Sequence, residues 1–295
     1  MSIMSEKAEE SLAYGGQALI EGVMMRSGET MVMCVRQPNQ EIATFHLTVK
    51  NITKNNKLLG LPFIRGIAML FETMYFGVKA MMQSANVALE EEDEEFTFWD
   101  YVLLLVMLLV MNGLFIAIPY VLTNYLGLNG LLFNVVESLI RLWLFTGYLF
   151  AISQWGEVAR VFQYHGAEHK AINAYEGGSN MEIRDVAKYP RLNPRCGTSF
   201  MFFTVLTSIA LFALIPRTNY FLSLGYRLAL IPVIAGVSYE LLKQSDKYRD
   251  SALMKMLIAP GLWFQRLTTK EPTDDMLEVA VKALQEVKAQ QSEME

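Results

Sequence analysis

The run Tyr164-His165-Gly166-Ala167-Glu168-His169-Lys170 holds residues whose types and spacing suit metal chemistry. In a helix, His165, Glu168 and His169 fall at i, i+3 and i+4 and share one face. Two imidazoles offer nitrogen ligands to a divalent ion, and a carboxylate beside them can move a proton. A third ligand must come from elsewhere, and Glu240 and Cys196 are the candidates; zinc accepts both oxygen and sulfur. The expected chemistry is hydrolysis. His165 and His169 hold Zn²⁺ with Glu240 or Cys196, Glu168 is the base for the attacking water, and Arg26 or Lys170 stabilises developing negative charge. A structural alternative stays open, in which the imidazoles hydrogen-bond Glu21 or Glu240 and tie the soluble parts together. Gly166 inside the run lowers the helix propensity on which the shared face depends.

The elements that must carry these residues look like membrane. The chain is 295 residues long, 53% hydrophobic and only 19% charged, too apolar for an ordinary soluble domain. Four apolar stretches stand out: Trp99–Leu122, Leu131–Trp155, Phe200–Pro216 and Phe221–Leu242. Crossing a bilayer takes about 20 such residues, so the third is slightly short. Met1–Ser11 has no apolar core of a signal peptide, and insertion is expected to rely on the internal spans. The link Thr123–Gly130 is uncharged and the link after Pro216 carries only Arg217, whereas Gly156–Ser199 carries six Lys and Arg residues. Both termini and the middle loop are therefore expected in the cytoplasm, in a multi-pass protein of the cell membrane. In Leu61–Leu89, Arg65, Glu72 and Lys79 recur every seven residues. That pattern predicts an amphipathic helix at the interface in preference to a fifth span.

The soluble segments read as follows. Thr30–Val49 alternates around Pro38-Asn39-Gln40 and predicts a β-hairpin containing His46. Gly15–Arg26 places glycines at both ends of a short apolar run, without a dinucleotide or phosphate-loop pattern. Leu253–Leu267, with Pro260-Gly261 and Trp263, suits an interfacial or re-entrant piece. After Thr273, the spacing of Leu277, Ala280, Val281, Leu284 and Val287 predicts a helix that docks on the soluble domain or a partner. Cys34 and Cys196 are expected as free thiols. Asn134, Glu137 and Arg141 recur on one face of the second span, where Glu137–Arg141 should form an i, i+4 ion pair, with Arg227 at similar depth.

The fold class predicted is a mainly α membrane protein with about four transmembrane helices and a cytoplasmic α+β domain assembled from separate segments. The expected division is a disordered N-terminus (1–14), a β-containing region (15–60), an interfacial helix with the acidic linker Glu90–Glu95 (61–98), helices one and two (99–155), the loop with the histidines (156–199), helices three and four (200–242), and a tail with an interfacial segment and a helix (243–295). A net charge of −5 without a basic stripe argues against nucleic acid.

Five ordered motifs extend the reading: Gly15–Arg26, Tyr164–Lys170, Pro194–Phe200, Gly236–Glu240 and Pro260–Trp263. Together they resemble the bacterial YqhQ family, a domain of unknown function in multipass membrane proteins often described as predicted metal-dependent enzymes. Relatives often carry histidine where this chain has Asn193, which removes one imidazole from any site built there. The order His-x-x-Glu-His is also similar to the inverted signature of zinc peptidases, whose third ligand comes from a later helix, as Glu240 would. Three functions are compatible with these observations. One is a metal-dependent hydrolase acting on an amphipathic substrate. Another is a non-catalytic assembly factor that holds membrane-protein clients with its methionine-rich surfaces. The weakest is a transporter, which would need an oligomer to build a pore.

Overall fold

The computed structural model describes residues 14–49, 59–89, 97–215, 219–248 and 251–294. The expected disordered segment, apart from Tyr14, and the acidic linker Glu90–Glu95 lie outside the described residues. The described residues are mainly helical, with one four-stranded antiparallel sheet.

The sheet is a meander of β1 (Gly15–Leu19), β2 (Gly22–Ser27), β3 (Thr30–Arg36) and β4 (Ile42–Thr48). The β3–β4 hairpin forms where its alternation predicted, with Val32 opposite His46. The β1–β2 hairpin was not read from its glycine-bracketed sequence. It turns tightly through Glu21, whose φ is +49°. Both faces of the sheet are covered, so Met31 to Val35 are all buried instead of alternating. One face packs Val23, Met25, Val32 and Cys34 against a helical core containing Leu277, Ala280 and Leu284. The other packs Leu19, Met24, Met33 and Val35 against Ala80 and Phe76.

The second face is covered by α1 (Ile64–Leu89), and the first chiefly by α10 (Asp274–Met294) together with the helix that carries Tyr164 and Ala171. In α10 the apolar positions predicted at helical spacing are buried, and Met276, Val279 and Ala283 join them. In α1 two of the three charges at seven-residue spacing are met by protein, whereas Lys79 is exposed. Arg65 bonds Glu240 and Glu72 bonds Arg26, while Phe71 and Tyr75 face outward at 69% and 53% exposure. Arg65 and Glu72 are thus satisfied by protein, and part of the apolar side of the helix is bare.

Among the described residues, three helices are long and apolar enough to cross a membrane: α2 (Phe98–Tyr125), α3 (Gly130–Ile152) and the paired segments α7 (Tyr220–Ala229) and α8 (Ile231–Lys247). The third expected span forms α6 (Gly197–Phe212), a shorter apolar helix of 16 residues. At 1.5 Å per residue it covers about 24 Å, less than a hydrocarbon core of about 30 Å. The step between α7 and α8 falls just before Pro232, which has no N–H to give the carbonyl four residues back. Between these helices lie α4 (Gly156–Glu176) and the short α5 (Ile183–Val186). The Pro260-Gly261 segment lies inside α9 (Ala252–Thr268), which packs along α6, with Gly261 against Ser199.

Candidate metal centre

Helix α4 carries His165, Glu168 and His169 and runs unbroken through Gly166. A Cβ at Gly166 would collide with the carbonyl oxygen of Lys270. The glycine therefore serves the approach of the strand-like link after α9 onto α4, a link also held by a hydrogen bond from Lys270 N to Phe162 O at 2.8 Å.

That approach fixes the first imidazole. His165 Nδ1 lies 2.8 Å from the carbonyl oxygen of Thr268, and His169 Nδ1 lies 2.6 Å from that of Arg191. A carbonyl oxygen can only accept, so in each neutral ring Nδ1 carries the hydrogen and Nε2 presents a lone pair. The rings stand edge to face with centroids 4.5 Å apart. Outer-shell carbonyls that set the tautomer in this way are the usual support of metal-binding histidines.

Cys196 completes the group. Its sulfur lies 3.1 Å from His165 Nε2, and the ligating atoms of His165, His169 and Cys196 all lie within 4.8 Å of one another. Cys196 is the N-cap of α6, and its sulfur accepts from Thr198 Oγ1 at 3.2 Å. The loop before it is held by buried Gln265, which donates to Asn193 O and Ser199 Oγ and accepts from Asn193 N. Asn193 itself is buried, accepts from Arg195 N and bonds Asn173. It braces the loop where an imidazole was absent.

Glu168 reaches the same centre. Its Oε2 lies 3.5 Å from His169 Nε2 and 4.0 Å from His165 Nε2. The carboxyl is buried against β1: a Cβ at Gly16 would sit 2.9 Å from Oε1. Burial pushes its pKa up to about 7, and its electrostatic interactions with His165 and Arg195 only partly oppose this.

The other candidate residues are engaged elsewhere. Glu240 takes a two-pronged ion pair from Arg65, at 2.7 and 2.5 Å, together with the amide of Phe63. Arg26 bonds Glu72 at 2.6 Å and the carbonyl of Gly28. Glu21 pairs with Arg160 and accepts from Tyr164, touching neither histidine in the described contacts. Lys170 pairs with Glu271 and donates to Ala187 O. The residues that sequence reasoning missed act through backbone (the carbonyls of Thr268 and Arg191) or through the amide of Gln265. Side-chain type gives no signal for the first two.

A family model described as a protein of unknown function (DUF1385) matches residues 61–290. The uncharacterized protein YqhQ of Bacillus subtilis (strain 168) is 36% identical over 292 residues, covering 93% of this chain and 92% of the relative. No solved structure matches. A model match over most of the chain and a relative similar from end to end establish that the chain belongs to the DUF1385 family, alongside YqhQ.

Proposed function

We propose that the protein is a membrane-embedded, metal-dependent hydrolase whose centre is His165, His169 and Cys196. One observation carries the reading: both Nδ1 atoms are tied to carbonyl oxygens, so two Nε2 lone pairs and a sulfur converge within 4.8 Å beside a buried carboxyl. The donor set of two nitrogens and one sulfur suits Zn²⁺, which would supply Lewis acidity toward a carbonyl or phosphoryl oxygen and toward water. Glu168 holds and returns a proton at Oε2, and a carboxyl titrating near 7 is matched to that role at neutral pH. Gly16 and the β1 backbone keep that carboxyl out of bulk water.

A narrow apolar crevice of about 10 Å³ lies beside residues that hold this centre. Thr268 and Thr198 line it, and it continues between Leu142, Phe145, Met201 and Phe264 of α3, α6 and α9. A cleft this narrow holds no acyl chain as it stands, so the proposal of an amphipathic, membrane-associated substrate rests on the apolar helices that flank it. In the same reading α2, α3, α6 and α7–α8 are embedded, and the Lys and Arg distribution puts both termini and the sheet on the cytoplasmic side.

The test is elemental mass spectrometry on detergent-purified protein. About one zinc per chain is expected, lost in a folded His165→Ala/His169→Ala double variant. Glu168→Gln should keep the metal and lose hydrolysis by about two orders of magnitude or more. No metal in chelator-free preparations sinks the reading. A second reading, a non-catalytic holder of apolar clients, is favoured by the bare Phe71 and Tyr75 on α1. It expects full function in Glu168→Gln.

A further inference from the structure

A second polar site lies beside Phe212, at the end of α6 opposite Cys196. Asn134 and Leu149 of α3 lie near its two ends, about 22 Å apart at 1.5 Å per residue. At the Asn134 end, Glu137 is fully buried and takes bonds from two arginines: Arg141 Nη2 at 2.5 Å and Arg227 Nη2 at 2.8 Å. Arg227 is 3% exposed. Its guanidinium also lies over the rings of Tyr120 and Phe212 at 4.8 and 5.2 Å.

The charges in this cluster do not balance. Between Tyr101 and Gly156, and between Gly197 and Tyr239, the sequence supplies Arg141, Arg217 and Arg227 but only one carboxylate, Glu137. Two buried guanidiniums share that carboxylate, so one positive charge is left over among the described residues. A desolvated cation without a counter-charge is costly.

The surplus charge faces a cavity of about 150 Å³ lined by Arg227, Asn134, Ser223, Tyr120, Gly130 and Leu131. Four of the five guanidinium N–H groups of Arg227 have acceptors in the described contacts: Glu137 twice, Asn134 Oδ1 and Ser223 O. One is left over. Because Asn134 Oδ1 already accepts from Arg227, its amide hydrogens remain as donors. Gly130 and Leu131 open α3, whose first-turn amides have no carbonyl of their own helix to bond. The cavity is smaller than the roughly 300–1,000 Å³ of drug-sized pockets and suits a compact anion. A forked guanidinium, an amide, a hydroxyl and a helix N-terminus together match phosphate oxygens.

We propose that this cavity binds a phosphate group, either esterified in a lipid headgroup or free, through Arg227, Asn134, Ser223 and the first turn of α3. The site is independent of the metal centre and supplies the counter-charge that Arg141 and Arg227 lack.

The experiment uses the full chain in a neutral detergent, with native mass spectrometry and thermal melting. The probes are phosphatidylglycerol, inorganic phosphate against chloride at equal ionic strength, and a phosphate-free monoacylglycerol. Two variants accompany the wild type: Arg227→Gln, and Ser223→Leu, which fills the cavity while leaving the Arg227–Glu137 pair in place. One retained phosphatidylglycerol per chain, with a higher melting temperature and at least tenfold weaker binding in the variants, identifies a lipid headgroup. Equal protection by inorganic phosphate identifies free phosphate as the ligand. A response to monoacylglycerol as large as that to phosphatidylglycerol, with none to phosphate, overturns the proposal. So does unchanged binding in Ser223→Leu, which decides the matter even if Arg227→Gln does not fold.

Discussion

Glu168 is 4% exposed and sits beside two imidazoles, so its protonation state should be readable in stability. Its folded pKa lies near 7 against an ordinary value of 4.5. Between those pH values the folded chain holds a proton that the unfolded chain lacks. Stability of the metal-free protein should therefore fall as pH rises from about 4.5 through 7, by up to about 3 kcal/mol. Melting in chelator from pH 5 to 8 tests this, and Glu168→Gln should flatten the curve. Parallel curves for both proteins would show that another group is responsible. His165, Glu168 and His169 were legible as a set because helical spacing alone brings them onto one face. Their carbonyl partners were not, because any residue type can supply a backbone carbonyl. Glu240 had a suggestive position in the sequence, but its charge is met by Arg65, 175 residues away, a pairing no local pattern reveals.

At the scale of elements, the misreadings come from glycines and charges whose partners are distant in sequence. Gly166 counts against a helix by propensity, worth about 1 kcal/mol relative to alanine. Its actual role is to admit the carbonyl of Lys270, and overpacking of this kind costs roughly 1–3 kcal/mol. The clash outweighs the propensity, so Gly166→Ala should lower the melting temperature; a rise would show that the link after α9 yields easily. The β1–β2 hairpin was hidden for a related reason: glycine is a poor strand former, yet Gly16 must lie flat against Glu168. In α1 the recurring charges looked like a solvated stripe, but Glu72 is buried at 4% exposure and pairs with Arg26. Arg26→Ala would strand that carboxylate and should cost about 3 kcal/mol. A variant of native stability would return Arg26 to the candidates for a chemical role.

Across the whole molecule, hydropathy made three long apolar helices and the shorter α6 legible. The enclosure of the sheet on both faces was not legible, because the covering helices lie before and after all the spans. The face closed by α10 contains Cys34, which is wholly buried and whose thiol is pushed up to about 11 by that burial. This arrangement has a consequence for synthesis. The strands end at Thr48, but the helix that covers β2 and β3 on that face begins only at Asp274. At about 5–20 residues per second, the ribosome leaves that face open for roughly ten to fifty seconds. A nascent chain arrested near residue 270 should therefore let Cys34 react with a maleimide, while the released full chain should protect it at least tenfold. Translation would then impose an order on maturation: the helices are placed first, and the earliest-made strands are sealed by the last residues to emerge.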